Sequence, residues 1–114
     1  MALFSPSFTI DITDNINSGQ STTITNPGQA IEIVGIFASG ANGAVATVSG
    51  PDGTIGTCKV VTADGGSAYD IVDGAGAITA AQNITVAITT ANVDRVTLLC
   101  RSATAKTWVN STPA

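Results

Sequence analysis

Apolar and polar residues alternate in short runs along most of this chain. In the first run, Phe8, Ile10 and Ile12 share one parity, and Thr9 and Asp11 share the other. Successive side chains of a β-strand point to opposite faces of its sheet, so the alternation predicts strands with one buried face. It predicts about eight strands, over residues 8–12, 21–25, 30–38, 44–49, 56–62, 68–72, 83–89 and 93–102.

Turn-forming residues separate the predicted strands at short intervals. Asn26-Pro27-Gly28 indicates one turn, and Gly50-Pro51-Asp52-Gly53 indicates a β-hairpin, since Pro presets φ and Gly accepts a positive φ. No apolar stripe of helical period is present, and residues 78–82 allow one helical turn at most. The sequence therefore predicts one all-β domain over residues 1–114, an antiparallel β-sandwich or jelly roll, with arms at residues 1–7 and 104–114.

The run over residues 30–38 departs from the simple alternation because both of its parities are apolar. Ile31, Ile33 and Phe37 share one parity, and Val34 and Ile36 share the other. Strands that are buried on both faces have this composition. We therefore expect a central strand that is covered on both sides, either by a second sheet or by another subunit.

Five residues are candidates for an interface with another protein. Arg95, Leu99 and Arg101 share the outward parity of the last predicted strand, and Arg is enriched at interfaces. The alternative is an ordinary solvated outer face. Phe4 lies in the N-terminal arm and Trp108 in the C-terminal arm. Trp often dominates binding energy, so Trp108 either anchors in a neighbour or packs back on its own sandwich.

Charged residues are sparse, and their shortage excludes several classes of function. The 114 residues include four Lys and Arg, eight Asp and Glu and no His, for a formal net charge of -4. Nucleic acids and anionic membranes are bound through clusters of basic residues, which are absent from this sequence. Without His, no Ser-His-Asp triad or His-containing zinc site can form. We therefore expect no catalytic residues, no cofactor, and neither a nucleic-acid nor a membrane partner.

The two cysteines and the oxygen-bearing side chains of the first loop are the remaining candidates for chemistry. Cys58 and Cys100 fall on inward parities of predicted strands, so they are either two buried small hydrophobic residues or a disulfide bridge. Oxygen ligands in the first loop, such as Asp14 and Asn15, suit calcium, but no Asp-x-Asp-x-Asp-Gly loop is present. No metal site is predicted.

Several features of the chain resemble small virion proteins of tailed bacteriophages, the capsid decoration or cement proteins. They are the Met-Ala start, the arm before the first strand, the Thr/Ala/Gly/Val-rich strands, and the apolar runs at residues 30–36 and 83–88. The resemblance implies a β-rich protein that binds the outer capsid, often as a trimer at junctions between capsomers, and reinforces the shell. No short motif defines the group, so no functional residue is carried over.

The resemblance also sets the expected partners and location. Its partners would be the major capsid protein or other virion proteins, together with further copies of itself, a trimer being favoured. The start lacks a basic segment followed by an apolar one, so no signal peptide is predicted and the protein would reach the virion from the host cytoplasm. The alternatives are a carbohydrate-binding or adhesive β-sandwich, and a phage tail or fibre component.

Overall fold

Short antiparallel strands make up most of the molecule. A computed structural model describes residues 8–61, 67–72, 76–102 and 106–114. The described residues contain no α-helix, and so none that could cross a membrane. The strands are β1 (Phe8–Ile12), β2 (Ser21–Thr25), β3 (Ile31–Gly40), β4 (Val45–Gly50), β5 (Gly53–Lys59), β6 (Ser67–Ile71), β7 (Ala77–Ile78), β8 (Ile84–Thr89), β9 (Val93–Arg101) and β10 (Val109–Asn110).

The strands form two antiparallel sheets. Sheet A has the order β1-β9-β3-β6, with β7 also paired to β3, and sheet B has the order β10-β2-β8-β4-β5. If β6 and β7 count as one interrupted strand and β10 is set aside, eight strands remain. Counted along the chain, the first, eighth, third and sixth strands form sheet A, and they face the second, seventh, fourth and fifth in sheet B. This is the order of a jelly roll. The predicted all-β antiparallel sandwich is confirmed.

Branched aliphatic side chains fill the space between the sheets. The inward positions of β1, β8 and β9 are buried, whereas the residues between them face outward. The predicted parities of these three strands are therefore correct. Each buried Val, Leu or Ile contributes about 1.5–3 kcal/mol relative to an exposed one. The largest fully buried side chains are Ile12, Ile16, Ile24, Ile33, Ile36, Ile84, Ile88, Leu98, Val48, Val60, Val86 and Val93.

Strand β3 differs from its predicted parity because it contains a β-bulge. It pairs with β9 in one register up to Ile33 and in another from Gly35 onward, so Val34 is the extra residue. The bulge turns Ile36 to the same inward face as Ile33 and leaves Phe37 half-buried on the outer face. The grouping of Phe37 with Ile33 was therefore wrong. Only the inward face of β3 is covered by the second sheet.

The turn and loop predictions have mixed outcomes. The hairpin between β4 and β5 is confirmed, with Gly50 paired to Gly53 and a φ of 120° at Gly53. Around residues 78–82 the chain forms a short strand and then a turn closed by the Gln82 N–H on the Thr79 carbonyl, not a helical turn.

The C-terminal residues form part of the sandwich, which corrects the prediction of an arm there. Strand β10 pairs with β2, and beyond it the N–H of Ser111 donates to the Thr23 carbonyl. Ala114 and Ser21 exchange two backbone hydrogen bonds, of 3.0 and 3.1 Å. The segment from residue 109 onward thus lies along the edge of sheet B. The predicted N-terminal arm, residues 1–7, lies outside the described residues.

Gly40 holds the end of β3 tightly against the start of β9. Its φ is +156°, and an added Cβ would lie 2.5 Å from the Asn92 carbonyl oxygen and 2.6 Å from Val93 Cα. Both contacts are with backbone, which cannot rotate away. Gly28 also has a positive φ, but a Cβ there would meet no atom within 4 Å.

We predict that Gly40→Ala lowers the free energy of unfolding by about 3 kcal/mol, through backbone strain plus overpacking. Gly28→Ala should lower it by about 1 kcal/mol, through strain alone. Urea unfolding followed by far-ultraviolet circular dichroism measures both. Equal losses in the two variants would contradict the close contact at Gly40.

Candidate functional site

The outer face of sheet A combines charged and apolar side chains. It is formed by the outward positions of β1, β9 and β3. All of these side chains are exposed or half-exposed. The outer face consists of Thr9, Asp11, Glu32, Val34, Phe37, Ser39, Arg95, Thr97, Leu99 and Arg101. Three of the five predicted interface residues, Arg95, Leu99 and Arg101, are therefore on one surface.

Ion pairs lie at both ends of this face. At one end, Arg95 contacts Asp11 at 3.1 Å, and the two side chains are 51% and 39% exposed. At the other end, Arg101 contacts Glu32 at 2.5 Å, with both side chains about one-third exposed. Exposed pairs of this kind stabilise a fold by about 1 kcal/mol or less. Their larger effect is to fix four charges in place on the surface.

Asp11 is held in its ionised form. The hydroxyl of Thr97 donates to its carboxylate, and this bond, followed by the Arg95 guanidinium, lowers the pKa of Asp11 although partial burial opposes the shift. A lowered pKa in the folded state contributes stability above the ordinary carboxyl pKa, and that stability is lost as the pH falls through the lowered value. Asp11 is therefore charged at neutral pH.

An apolar strip lies between the two ion pairs. Leu99 on β9 is opposite Gly35 of β3 and Thr9 of β1, so small neighbours leave part of its side chain exposed. Phe37 is opposite Thr97, which is the next outward-facing pair along the two strands. The bulge residue Val34 adds a third half-exposed apolar side chain. Sequence parity placed Leu99 on the outward face of its strand but did not place Val34 and Phe37 beside it, because nothing in the sequence indicated the bulge.

Trp108 packs back on its own sandwich, which is one of the two alternatives predicted for it. Its side chain is half-buried and contacts the hydrophobic core. The indole Nε1–H donates a 2.9 Å hydrogen bond to Oε1 of Gln29, a buried side chain. A Trp in this position covers the edge of the core beside β2. Phe4, the remaining interface candidate, lies outside the described residues.

Cys58 and Cys100 are buried free thiols, so the expectation of two small hydrophobic residues is confirmed and no bridge is present. Cys100 pairs with Ile33, whereas the Cys58 thiol bonds to the backbone of Ala38. These two β3 positions are separated by about 15 Å of extended strand, beyond the reach of a disulfide. Burial raises the pKa of Cys58 and raises that of Cys100 to about 12.

Asp11 in β1 and Asp14 in the first loop both bind other side chains of this protein. Asp14 accepts a 2.9 Å hydrogen bond from the Asn110 side chain, and Asp11 is bound by Arg95 and Thr97. Within the described residues, no three His, Cys, Asp or Glu side chains are grouped as metal ligands.

A polar cleft lies at one end of the sandwich, and sequence reasoning did not find it. It has a volume of about 330 Å³. Three separate stretches of the chain meet there: the loop after β1, the end of β3, and the start of β9. The loop cleft is lined by Asn15, Asn17, Gly40, Ala41, Asn92, Val93 and Asp94. A second cavity, of about 320 Å³, lies beside the β4–β5 hairpin at Asp52, at the opposite end.

No protein-family model, curated protein or solved structure matches this chain.

We predict that Trp108→Ala lowers the free energy of unfolding by about 2 kcal/mol, less than the cost of truncating a fully buried Trp because the side chain is half-buried. Val109→Ala is the control. Val109 is the next residue in the chain and its side chain is 63% exposed, so this substitution should change the free energy of unfolding by about 0.5 kcal/mol or less. Urea unfolding followed by circular dichroism measures both variants. Trp fluorescence cannot be used, because Trp108→Ala removes the only Trp of the chain. Unchanged stability together with weakened self-association would identify Trp108 as an interface anchor.

We also predict that native protein reacts very slowly with a chromogenic thiol reagent such as DTNB at mildly alkaline pH. Both thiols are buried, and the raised pKa values keep them protonated. After unfolding in guanidinium, both cysteines should react. A protein without reactive thiols in denaturant would contain the bridge that the structure excludes.

Proposed function

We propose that this protein is a non-enzymatic structural protein of a virion, a decoration protein that binds the outside of a capsid through the outer face of sheet A. The observation that carries the proposal is the composition of that face. The half-exposed Val34, Phe37 and Leu99 lie between two fixed ion pairs. A central apolar patch with a charged rim is the usual anatomy of a protein-binding surface.

The small area of this face favours a partner that offers many identical binding sites, such as a capsid lattice. Three strands about 4.8 Å apart, over the length of β9, give a contact area of roughly 400 Å². A stable interface buries about 800 Å² on each partner. One face alone therefore supports weak binding. A trimer that presents three such faces to a repeating lattice would gain the avidity that a single site lacks.

The chemistry of the chain is consistent with a structural role. It contains no His, and its few cations include Arg95 and Arg101, which are both on the proposed contact face. The fold is also suited to it, since jelly rolls form many capsid domains as well as lectins. Because a fold hosts many functions, the proposal depends on the contact face.

The test is binding to shells assembled from the major capsid protein encoded nearest to this chain on its genome. We expect the protein to co-sediment with the shells and to saturate at a fixed ratio to capsid subunits. Leu99→Glu should weaken binding at least tenfold, because it places a charge in the apolar strip. Thr85→Glu is the matched control, since Thr85 is a half-buried outward residue of β8 in sheet B.

Sedimentation velocity of the free protein gives the oligomeric state, for which a trimer is expected. Protein that stays in the supernatant with every shell preparation would refute the proposed function. Equal loss of binding in both Glu variants would refute the assignment of the contact to sheet A, provided that circular dichroism shows both to be folded.

A further inference from the structure

We propose that the loop cleft binds a neutral sugar, through hydrogen bonds from its amide and carboxylate side chains to adjacent hydroxyl groups. This site adjoins the outer face of sheet A at Ser39, whose hydroxyl donates to Asp94, but the inference does not depend on the proposed function. Its volume, about 330 Å³, is near the lower end of the range for small-molecule pockets and suits a ligand about the size of a monosaccharide.

The cleft contains polar groups that the protein itself does not use. Within the described part of the chain, the Asn15 and Asn17 side chains make no hydrogen bond, although both line the cleft. Asp94 accepts a 2.7 Å bond from Ser39 at Oδ1, and no described residue donates to its Oδ2. Asn92 accepts a 2.8 Å bond from the Ser18 N–H at Oδ1, which leaves its amide NH₂ as a donor.

These groups match the hydrogen-bonding pattern of a sugar. Each hydroxyl both donates and accepts, and so does each Asn side-chain amide. A carboxylate only accepts, so Asp94 can take the protons of two neighbouring hydroxyls. With the donor NH₂ of Asn92 close by, the cleft offers both partners to a vicinal diol.

Other ligand classes fit the cleft less well. Calcium takes six to eight oxygens and prefers several carboxylates, whereas Asp94 is the single carboxylate in the lining. A phosphate or other anion would meet that carboxylate, and the lining has no Lys or Arg to balance it. A neutral polyol has neither disadvantage.

The backbone around the cleft is already held in place. Ile16 and Val93 exchange two 3.0 Å hydrogen bonds, which tie the first loop to β9, and the Ala41 N–H donates to the Asn92 carbonyl at 2.9 Å. In the loop before β9, Thr90 has a φ of 75°. Such a conformation is rare for a β-branched residue, and it persists where the surroundings impose it, often at functional sites. A ligand would therefore need little rearrangement of the backbone, and the ordering cost would fall on the exposed side chains of Asn15 and Asn17.

The lining has no aromatic side chain on which a sugar ring could stack. The affinity should therefore be modest, with a Kd of about 1 mM.

Titration of ¹⁵N-labelled protein with glucose, galactose, mannose and N-acetylglucosamine tests the proposal. We expect saturable amide shifts for at least one sugar, confined to the lining and centred on Asn17, Ala41 and Asn92. Asp94→Ala should weaken that binding at least tenfold. Asp52→Ala should leave it unchanged, because Asp52 lines the cavity at the opposite end.

Three results of the titration would overturn the proposal. They are the absence of saturable shifts with every sugar, shifts centred away from the cleft, and an affinity of Asp94→Ala equal to that of the unsubstituted protein. Saturable shifts with CaCl₂ alone, without a response to any sugar, would identify a cation site instead. Capsid binding by the Asp94→Ala variant, measured separately, shows whether the decoration function is independent of the cleft.

Discussion

The pairing of β3 with β9 at the centre of sheet A determines the rest of the structure. It runs from Glu32 opposite Arg101 to Gly40 opposite Val93, and every other strand of sheet A pairs with one of these two. The bulge at Val34 lets both halves of β3 direct aliphatic side chains inward. A shift of one residue exchanges the inward and outward faces of a strand. Without the bulge, Ile33 and Ile36 would point to opposite faces of the sheet, and one of them would leave the core.

The same pairing positions both surfaces to which we assign a role. On the side of the sandwich, the bulge leaves Val34 and Phe37 beside Leu99 and so creates an apolar strip between ion pairs. At the end of the sandwich, the close contact of Gly40 with Asn92 brings the polar loops together. The first surface suits a protein partner, because it combines apolar area with fixed charges. The second suits a small polar ligand, because it combines amides with one carboxylate.

Parity in the sequence predicted the fold and part of the candidate surface. Where strands are regular, as in β1, β8 and β9 from Arg95 onward, alternation assigned each side chain to its correct face. It failed at β3, because Val34 and Ile36 are both apolar and either register satisfies the pattern. It also missed β10, since two paired residues are too few to show a period. The loop cleft could not be predicted, because Asn15 and Asp94 meet only through the sheet topology.

Both assigned surfaces depend on the register of β3 against β9, which can be measured by nuclear magnetic resonance. Cross-strand nuclear Overhauser contacts between backbone protons identify the residue opposite each position. We expect Ile33 opposite Cys100 and Phe37 opposite Thr97, which requires one extra residue in β3. Val34 opposite Cys100, with Phe37 still opposite Thr97, would show a continuous register without a bulge. That result would remove Val34 from the outer face and contradict the proposed contact surface.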